Sequence, residues 1–228
     1  MLNTTVLVVG AGPVGMWLAL ELRRADIDVL IIDMKTSRDA RDGFSKALTL
    51  SAGTLETFHS RALSSTLLEQ SVRLPRAHFG AIDTWLELNS EVLGVVHSYN
   101  LAIPQARTEA ILLGLYEKAG VRFAWGSKFH RFAESPRGVV VTAGRISPGN
   151  DGGNETVDIS ARWLVGCDGT HSTVRASAEI PFEGLPHSVS GILADLILTE
   201  VPSGGESPMV ICPVGSNDTT IQAEFRRL

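Results

Sequence analysis

Residues Thr4–Val9 (TTVLVV) form an apolar, β-branched run with no polar alternation, and the next six residues, Gly10-Ala11-Gly12-Pro13-Val14-Gly15, hold three glycines. A run of that kind is a strand buried on both faces, as in a parallel sheet. From Pro13 to Ala25 the apolar residues Val14, Trp17, Leu18 and Leu22 recur at helical spacing, and Arg23 and Arg24 fall in the last turn, where cations suit the helix dipole. Asp28–Asp33 (DVLIID) is a second buried strand. The first 33 residues therefore predict a Rossmann-like strand–helix–strand unit with a right-handed crossover. Within it, Gly10 allows the tight turn, Gly12 lets backbone approach a pyrophosphate, and Gly15 lets helix and strand pack closely. Pro13 and Val14 open the helix, whose first N–H groups face the anion. Asp33, 23 positions after Gly10, stands where an acid accepts hydrogen bonds from a ribose diol. The pattern predicts a dinucleotide and does not separate NAD from FAD.

Composition removes other classes. Lys and Arg number 20 against 25 Asp and Glu, a net charge of −5, and there is no basic run. Neither a nucleic-acid footprint nor a polybasic membrane patch is expected. Two cysteines, Cys167 and Cys212, are too few for a disulfide scaffold or a thiolate zinc site and suit a reduced, cytoplasmic setting. Met1 to Leu20 carries no charge, yet it lacks a basic start and is broken by Gly10, Gly12, Pro13 and Gly15, so a strand and turn explain it better than a signal or anchor.

Farther along, Thr36–Lys46 is loop-like, and Ser51–His59 reads as a helix capped by Ser51. Ala77–Ile103 carries the short aromatic and β-branched runs of an antiparallel sheet. Thr108–Ala119 is expected as a helix capped by Thr108, with Leu112, Leu113 and Leu115 on its apolar face and Gly120 as its stop. Strands are expected at Val121–Trp125, Lys128–Ala133, Val139–Ala143, Thr156–Ile159 and Trp163–Cys167, with Gly144–Asn154 as a hairpin end. A short helix near His171–Ser177 follows Asp168-Gly169, and strand-like runs return from Val189 onward. The four tryptophans (Trp17, Trp85, Trp125, Trp163) are expected in the core, Cys167 as a small buried residue at a strand end, and the six histidines as scattered residues without metal spacing.

Three segments in order, GAGPVG at Gly10, IPQARTEAIL at Ile103–Leu112 and WLVGCDGTHSTVR at Trp163–Arg175, resemble the FAD-dependent aromatic hydroxylases. These are single-component flavoprotein monooxygenases of the p-hydroxybenzoate hydroxylase fold, and the resemblance covers nearly the whole chain. It implies an α/β (α+β overall) architecture: a Rossmann-like FAD-binding domain with a parallel sheet, interleaved with a mostly antiparallel β substrate domain and incomplete at its C-terminus. Residues 1–75 and 103–186 would form the FAD-binding domain, and 76–102 with 187–228 part of the substrate domain. The resemblance also implies that Asp168 and Gly169 lie near the FAD pyrophosphate and serve NADPH use, and that Gln105 touches the ribityl region with Arg107 beside it. Taken alone, Asp168 before a glycine is a common turn dipeptide, and Arg107 and Arg175 are surface cations.

Two departures from the family weaken its flavin contacts. Ser45-Lys46-Ala47 replaces a common Ser-Arg-Gly or Ser-Arg-Ala, so Lys46 offers a point charge near the flavin in place of a planar cation. Gly53 stands where many relatives have Arg. The family's later Gly-Asp segment is absent from these residues. The implied function is hydroxylation of a phenolic or polyketide-like aromatic substrate with FAD, NADPH (or NADH) and O2. Two other readings remain: a truncated or split, non-catalytic FAD- or nucleotide-binding module needing a C-terminal partner, and an NAD-dependent dehydrogenase; the partner expected is a C-terminal half or, in a homo-oligomer, a second copy.

Overall fold

The computed structural model describes residues 2–36, 47–78, 85–88, 94–146 and 155–185. In chain order the elements begin β1 (Leu2–Val9), α1 (Pro13–Arg24), β2 (Val29–Asp33), β3 (Thr49–Leu50), α2 (Ala52–His59) and α3 (Ser64–Glu69). Then come β4 (Val72–Leu74), β5 (Arg76–His78), β6 (Trp85–Glu87), β7 (Asn100–Ala102) and α4 (Gln105–Ala119). The chain continues through β8 (Arg122–Trp125), β9 (Ser127–Ser135), β10 (Gly138–Arg145), β11 (Thr156–Gly166) and α5 (Thr173–Ser177). Two compact units result, one from Met1–Gly43 and Thr108–Gly184, the other from Phe44–Arg107 and Leu185–Leu228. The sequence drew its boundaries by expected ligand, near residues 75 and 103; contacts draw them at Gly43 and Arg107. Lys46, the hairpin end 147–154 and the strand-like runs from Val189 onward lie outside the described residues.

The first unit is built on a six-stranded sheet of order β8-β2-β1-β11-β10-β9. β8, β2, β1 and β11 run parallel, and β10 and β9 add antiparallel hairpins at one side. Val6–Val9 of β1 and Val29–Ile32 of β2 are buried at successive positions, hence on both faces, as a central parallel strand requires. Leu7, Val9, Leu30 and Ile32 share one cluster with Phe129, Val141, Ala143, Ile159 and Ala161. Met16, Ala19 and Leu20 of α1 are buried as well, the inward stripe of a helix lying on a sheet. The second unit holds the antiparallel sheet β3-β7-β4 and the pair β5-β6; the antiparallel character matches the expectation for Ala77–Ile103, while β3 and β4 lie outside that range and were not expected.

Three expectations are corrected. Thr156–Ile159 and Trp163–Cys167 are not separate strands: β11 runs unbroken from Thr156 to Gly166, because Ile159 and Ala161 keep the inward alternation going while Ser160 and Arg162 face outward. The helix expected from Thr108 begins at Gln105, and Thr108 is a buried residue inside it rather than its cap. Trp163 is not in the core but 60% exposed. Ser51 caps α2 as expected, accepting a hydrogen bond from the Thr54 N–H, and α4 stops at Gly120 with φ +68°.

On the buried face of α4, Leu112 and Tyr116 are both fully buried. The Tyr116 ring meets Phe123 edge-on, but its hydroxyl has no partner among the described residues, and burial pushes its pKa up. Removing an unpaired buried hydroxyl removes a desolvation penalty, whereas removing Leu112 leaves a cavity. Tyr116→Phe is therefore expected to leave stability unchanged or raise it by up to about 1 kcal/mol, and Leu112→Ala to lower it by about 2–5 kcal/mol. Urea unfolding of the two variants checks both.

Candidate cofactor site

The carboxyl ends of β2, β1 and β11 meet in a short stretch of backbone. The Gly10 N–H donates to Ile32 O at 2.9 Å, and the Cys167 N–H donates to Val9 O at 2.7 Å. Between these bonds the chain must leave β1 and enter α1 at once. Gly10 does this at φ +105°, where a Cβ would overlap the carbonyl of Cys167. A Cβ on Gly15 would overlap the Gly10 carbonyl and lie 3.1 Å from Cys167 Cβ. These are the turn and the close helix–strand contact expected of the first and third glycines.

Gly12 differs. A Cβ there would meet nothing within 4 Å, so open space lies before the start of α1. Pro13 takes the first helical position, where its missing N–H costs nothing. No side chain caps the helix and no acid lies in its first turn. The N–H groups of Val14 and Gly15 thus point out of the helix without an intrahelical acceptor, at its positive end. Such a terminus suits an anion, and the gap at Gly12 suits one that comes close to backbone.

Asp33 ends β2 beside this turn. One carboxylate oxygen accepts the Ala11 N–H at 2.6 Å, the other the Lys35 N–H at 2.8 Å. Asp33 therefore fixes the glycine loop, while each oxygen keeps a lone pair that could accept a hydroxyl. Asp168 follows Cys167 on the other side. Its carboxylate accepts the Ser172 hydroxyl at 2.6 Å and the N–H groups of Thr173 and Val174 at 2.7 and 3.1 Å, so it holds the start of α5. Ser172 in turn accepts the Arg175 N–H. Gly169 is exposed, with open space where a side chain would project.

The structure thus brings Gly10, Gly12, Pro13, Val14, Gly15, Asp33, Asp168 and Gly169 into one unit. Gln105 and Arg107 belong to the other; there the Gln105 N–H donates to Ala47 O at 2.9 Å, and Arg107 is exposed. Arg175 is engaged internally, donating to Thr170 O at 3.0 Å and lying 4.5 Å over the Phe182 ring. Burial, and then the Asp168 carboxylate, push the Cys167 thiol up, which makes it a poor nucleophile. Sequence reasoning missed the Asp33–Ala11 bond and the capping work of Asp168. Only the turn-forming habit of Asp before Gly pointed to the second.

A family model described as FAD binding domain matches residues 3–223. Among curated proteins, the chain is 31% identical over 205 residues to an uncharacterized aromatic compound monooxygenase of Bacillus subtilis, covering 90% of the chain and 39% of that protein. It is 31% identical over 195 residues to a dialkyldecalin synthase of Streptomyces rugosporus, covering 86% of the chain and 38% of that protein. Among solved structures, the OxyS anhydrotetracycline hydroxylase of Streptomyces rimosus aligns with a TM-score of 0.72 at 30% identity, over 81% of the chain and 35% of that structure. The chain spans about two fifths of the length of the curated relatives it matches.

Asp33 can be tested without any ligand. Asp33→Asn places an amide NH2 against one of the two backbone N–H groups that the carboxylate now accepts, leaving that donor unpaired. A loss of about 1–3 kcal/mol is expected on chemical denaturation of the ligand-free chain. An unchanged midpoint would show that the glycine turn holds its shape without Asp33.

Proposed function

Because the chain belongs to the FAD-binding domain family, we propose that the turn at the ends of β2, β1 and β11 holds the pyrophosphate and adenosine ribose of FAD in an aromatic-ring monooxygenase. The observation that carries this reading is the open space at Gly12 before an uncapped helix start, with the Asp33 carboxylate alongside. Backbone N–H groups of Gly12, Val14 and Gly15 face the phosphates; Gly10 and Pro13 set the path of the turn that presents them. Asp33 accepts the ribose hydroxyls with the lone pairs its loop bonds leave. Asp168 acts through its backbone and through the α5 start that it fixes, with Gly169 beside it. Gln105 serves the ribityl side with Arg107 beside it, and Lys46 offers a charge near the flavin, assignments that rest on the family resemblance alone.

Bound FAD would supply the redox chemistry, taking electrons from NADPH or NADH and engaging O2. The chain binds it, orients it and limits water around it. In this reading residues 1–75 and 103–186 serve the cofactor, and 76–102 with 187–228 contribute part of the substrate region. A phenolic or polyketide-like aromatic substrate is supported by the names of the monooxygenase and hydroxylase relatives. The match to a dialkyldecalin synthase makes FAD binding the firmer part of the proposal. The alternative is a FAD-binding part that turns over only with a C-terminal partner.

Absorbance of the purified chain after incubation with FAD and gel filtration tests the reading. Stoichiometric retained flavin is expected, and Gly12→Val should weaken FAD binding at least tenfold, about 1.4 kcal/mol, with an unchanged circular dichroism spectrum. A colourless chain overturns FAD binding by these residues. Retained flavin with no NADPH or NADH oxidation, on a panel of phenols and polycyclic aromatics under O2, overturns the self-sufficient enzyme and supports the partner-dependent form.

A further inference from the structure

Two histidines of the second unit, 38 residues apart in sequence, meet ring to ring. His97 Nε2 lies 3.1 Å from His59 Nδ1, and the rings pack edge-to-face with centroids 4.8 Å apart. His97 is 9% exposed. Its other ring nitrogen, Nδ1, lies 3.0 Å from the Tyr99 hydroxyl, and its backbone N–H donates to Glu56 Oε1 at 2.8 Å. His59 Nδ1 is also 3.3 Å from the hydroxyl of Ser64. Among the described residues, the groups that face the pair are Glu56 from α2, which also carries His59, Ser64 from α3, Arg73 from β4, and Tyr99 from the segment leading into β7. Arg73 lies 5.1 Å over the Tyr99 ring.

Counting hydrogens fixes what this cluster can hold. With both rings neutral, the Tyr99 hydroxyl donates to His97 Nδ1, and His97 Nε2–H donates to His59 Nδ1; every ring nitrogen inside the cluster is then satisfied. One added proton is also accommodated. A cationic His59 donates from Nδ1 to His97 Nε2, His97 carries its hydrogen on Nδ1, and that hydrogen points to Tyr99 Oη. The chain of bonds has only reversed. A second proton has no such arrangement, because it puts Nε2–H against Nδ1–H at 3.1 Å between two cations.

We propose that His59 and His97 share a site for a single proton, and that this pair is a pH-sensitive clasp joining α2 to the segment that leads into β7. The clasp is closed while the pair holds no extra proton or one, and opens when a second is forced in. Its position suits the role: His97 and Tyr99 sit directly before β7, the central strand of β3-β7-β4, and Asn100 Oδ1 accepts the Ala52 N–H at the start of α2. Release of His97 therefore loosens α2 and the sheet together.

The electrostatics agree in sign. Burial, and then the neighbouring His59, lower the His97 pKa from 6.5; Glu56 opposes them and Arg73 adds to them. A histidine whose folded value lies below its unfolded value leaves the unfolded chain holding more protons. Its contribution to stability is then complete above the unfolded value and declines as pH falls towards and through the folded one.

Imidazole NMR of the full chain, titrated from pH 8 to 4.5, combined with hydrogen exchange of the amides of residues 97–102, tests the clasp without reference to any cofactor. Two proton uptakes separated by more than about one pH unit are expected, each visible on both rings, as for a coupled pair. Over the second uptake, protection of the His97 and Leu101 amides is expected to fall up to about tenfold per pH unit, the limit for one proton. His59→Gln should leave a single uncoupled uptake at His97, still lowered by burial, and weaken that pH dependence. Two histidines titrating independently near the ordinary value, or amide protection that does not change with pH in wild type, overturns the proposal whether or not the variant folds.

Discussion

The parallel half of the first unit depends on an approach that only hydrogen atoms permit. Gly10 lies so close to the carbonyl of Cys167, and Gly15 to the carbonyl of Gly10, that a methyl group at either would overlap backbone. A flexible side chain can move aside; a backbone carbonyl at the end of a paired strand cannot, without parting β1 from β11 or lifting α1 from both. The two strands share seven paired residues, from Leu2 opposite Ile159 to Val9 opposite Gly166, and that ladder brings the start of α1 level with Cys167 and Asp168. The joining of β1 to β11 and the seating of α1 therefore rest on the same two glycines.

Around that approach, side chains and backbone divide the work. The carboxylates of Asp33 and Asp168 are both committed to backbone N–H groups, the first to the glycine turn, the second to the start of α5. What faces open space is mainly backbone: the first N–H groups of α1 and the chain at Gly169. Donors held this way lose little freedom when an anion arrives, so most of the ordering needed for binding is done during folding. The absence of a side-chain cap on α1 fits this arrangement, because a cap would fill the same donors.

The legible parts of the sequence were those in which a local pattern and a tertiary constraint coincide. TTVLVV followed by GAGPVG could be read because burial on both faces, a tight turn and a close helix approach each leave residues of a particular kind at neighbouring positions. The continuity of β11 was harder: Ser160 and Arg162 look like a break, and only the buried alternation of Ile159 and Ala161 argues against one. At α4, Pro104 immediately before the helix was a better start signal than Thr108; the hydroxyl of Thr108 suggested a cap, but the residue is buried within the helix. Trp163 was placed inside on size and aromaticity, and its face of β11 is open. The pairing of His59 with His97 carried no local signal at all, since it is made by α2 and the approach to β7 coming together across 38 residues. Reading the histidines as scattered surface residues holds for the exposed His59 and fails for the buried His97.

A site whose contacts are mainly backbone has a consequence for specificity. Peptide N–H groups at a helix start and a carboxylate facing a ribose recognise phosphates and diols, and neither senses the reaction carried out at the far end of a bound dinucleotide. On the proposed reading, substitutions at Gly12 or Asp33 would act on cofactor affinity and on the shape of the turn, not on the choice of substrate. Discrimination between substrates must come from side chains beyond this turn, where shape and polar contacts differ from one protein to another. The same separation is compatible with one architecture matching both a monooxygenase and a synthase, since a turn of this kind leaves the reaction to be decided elsewhere.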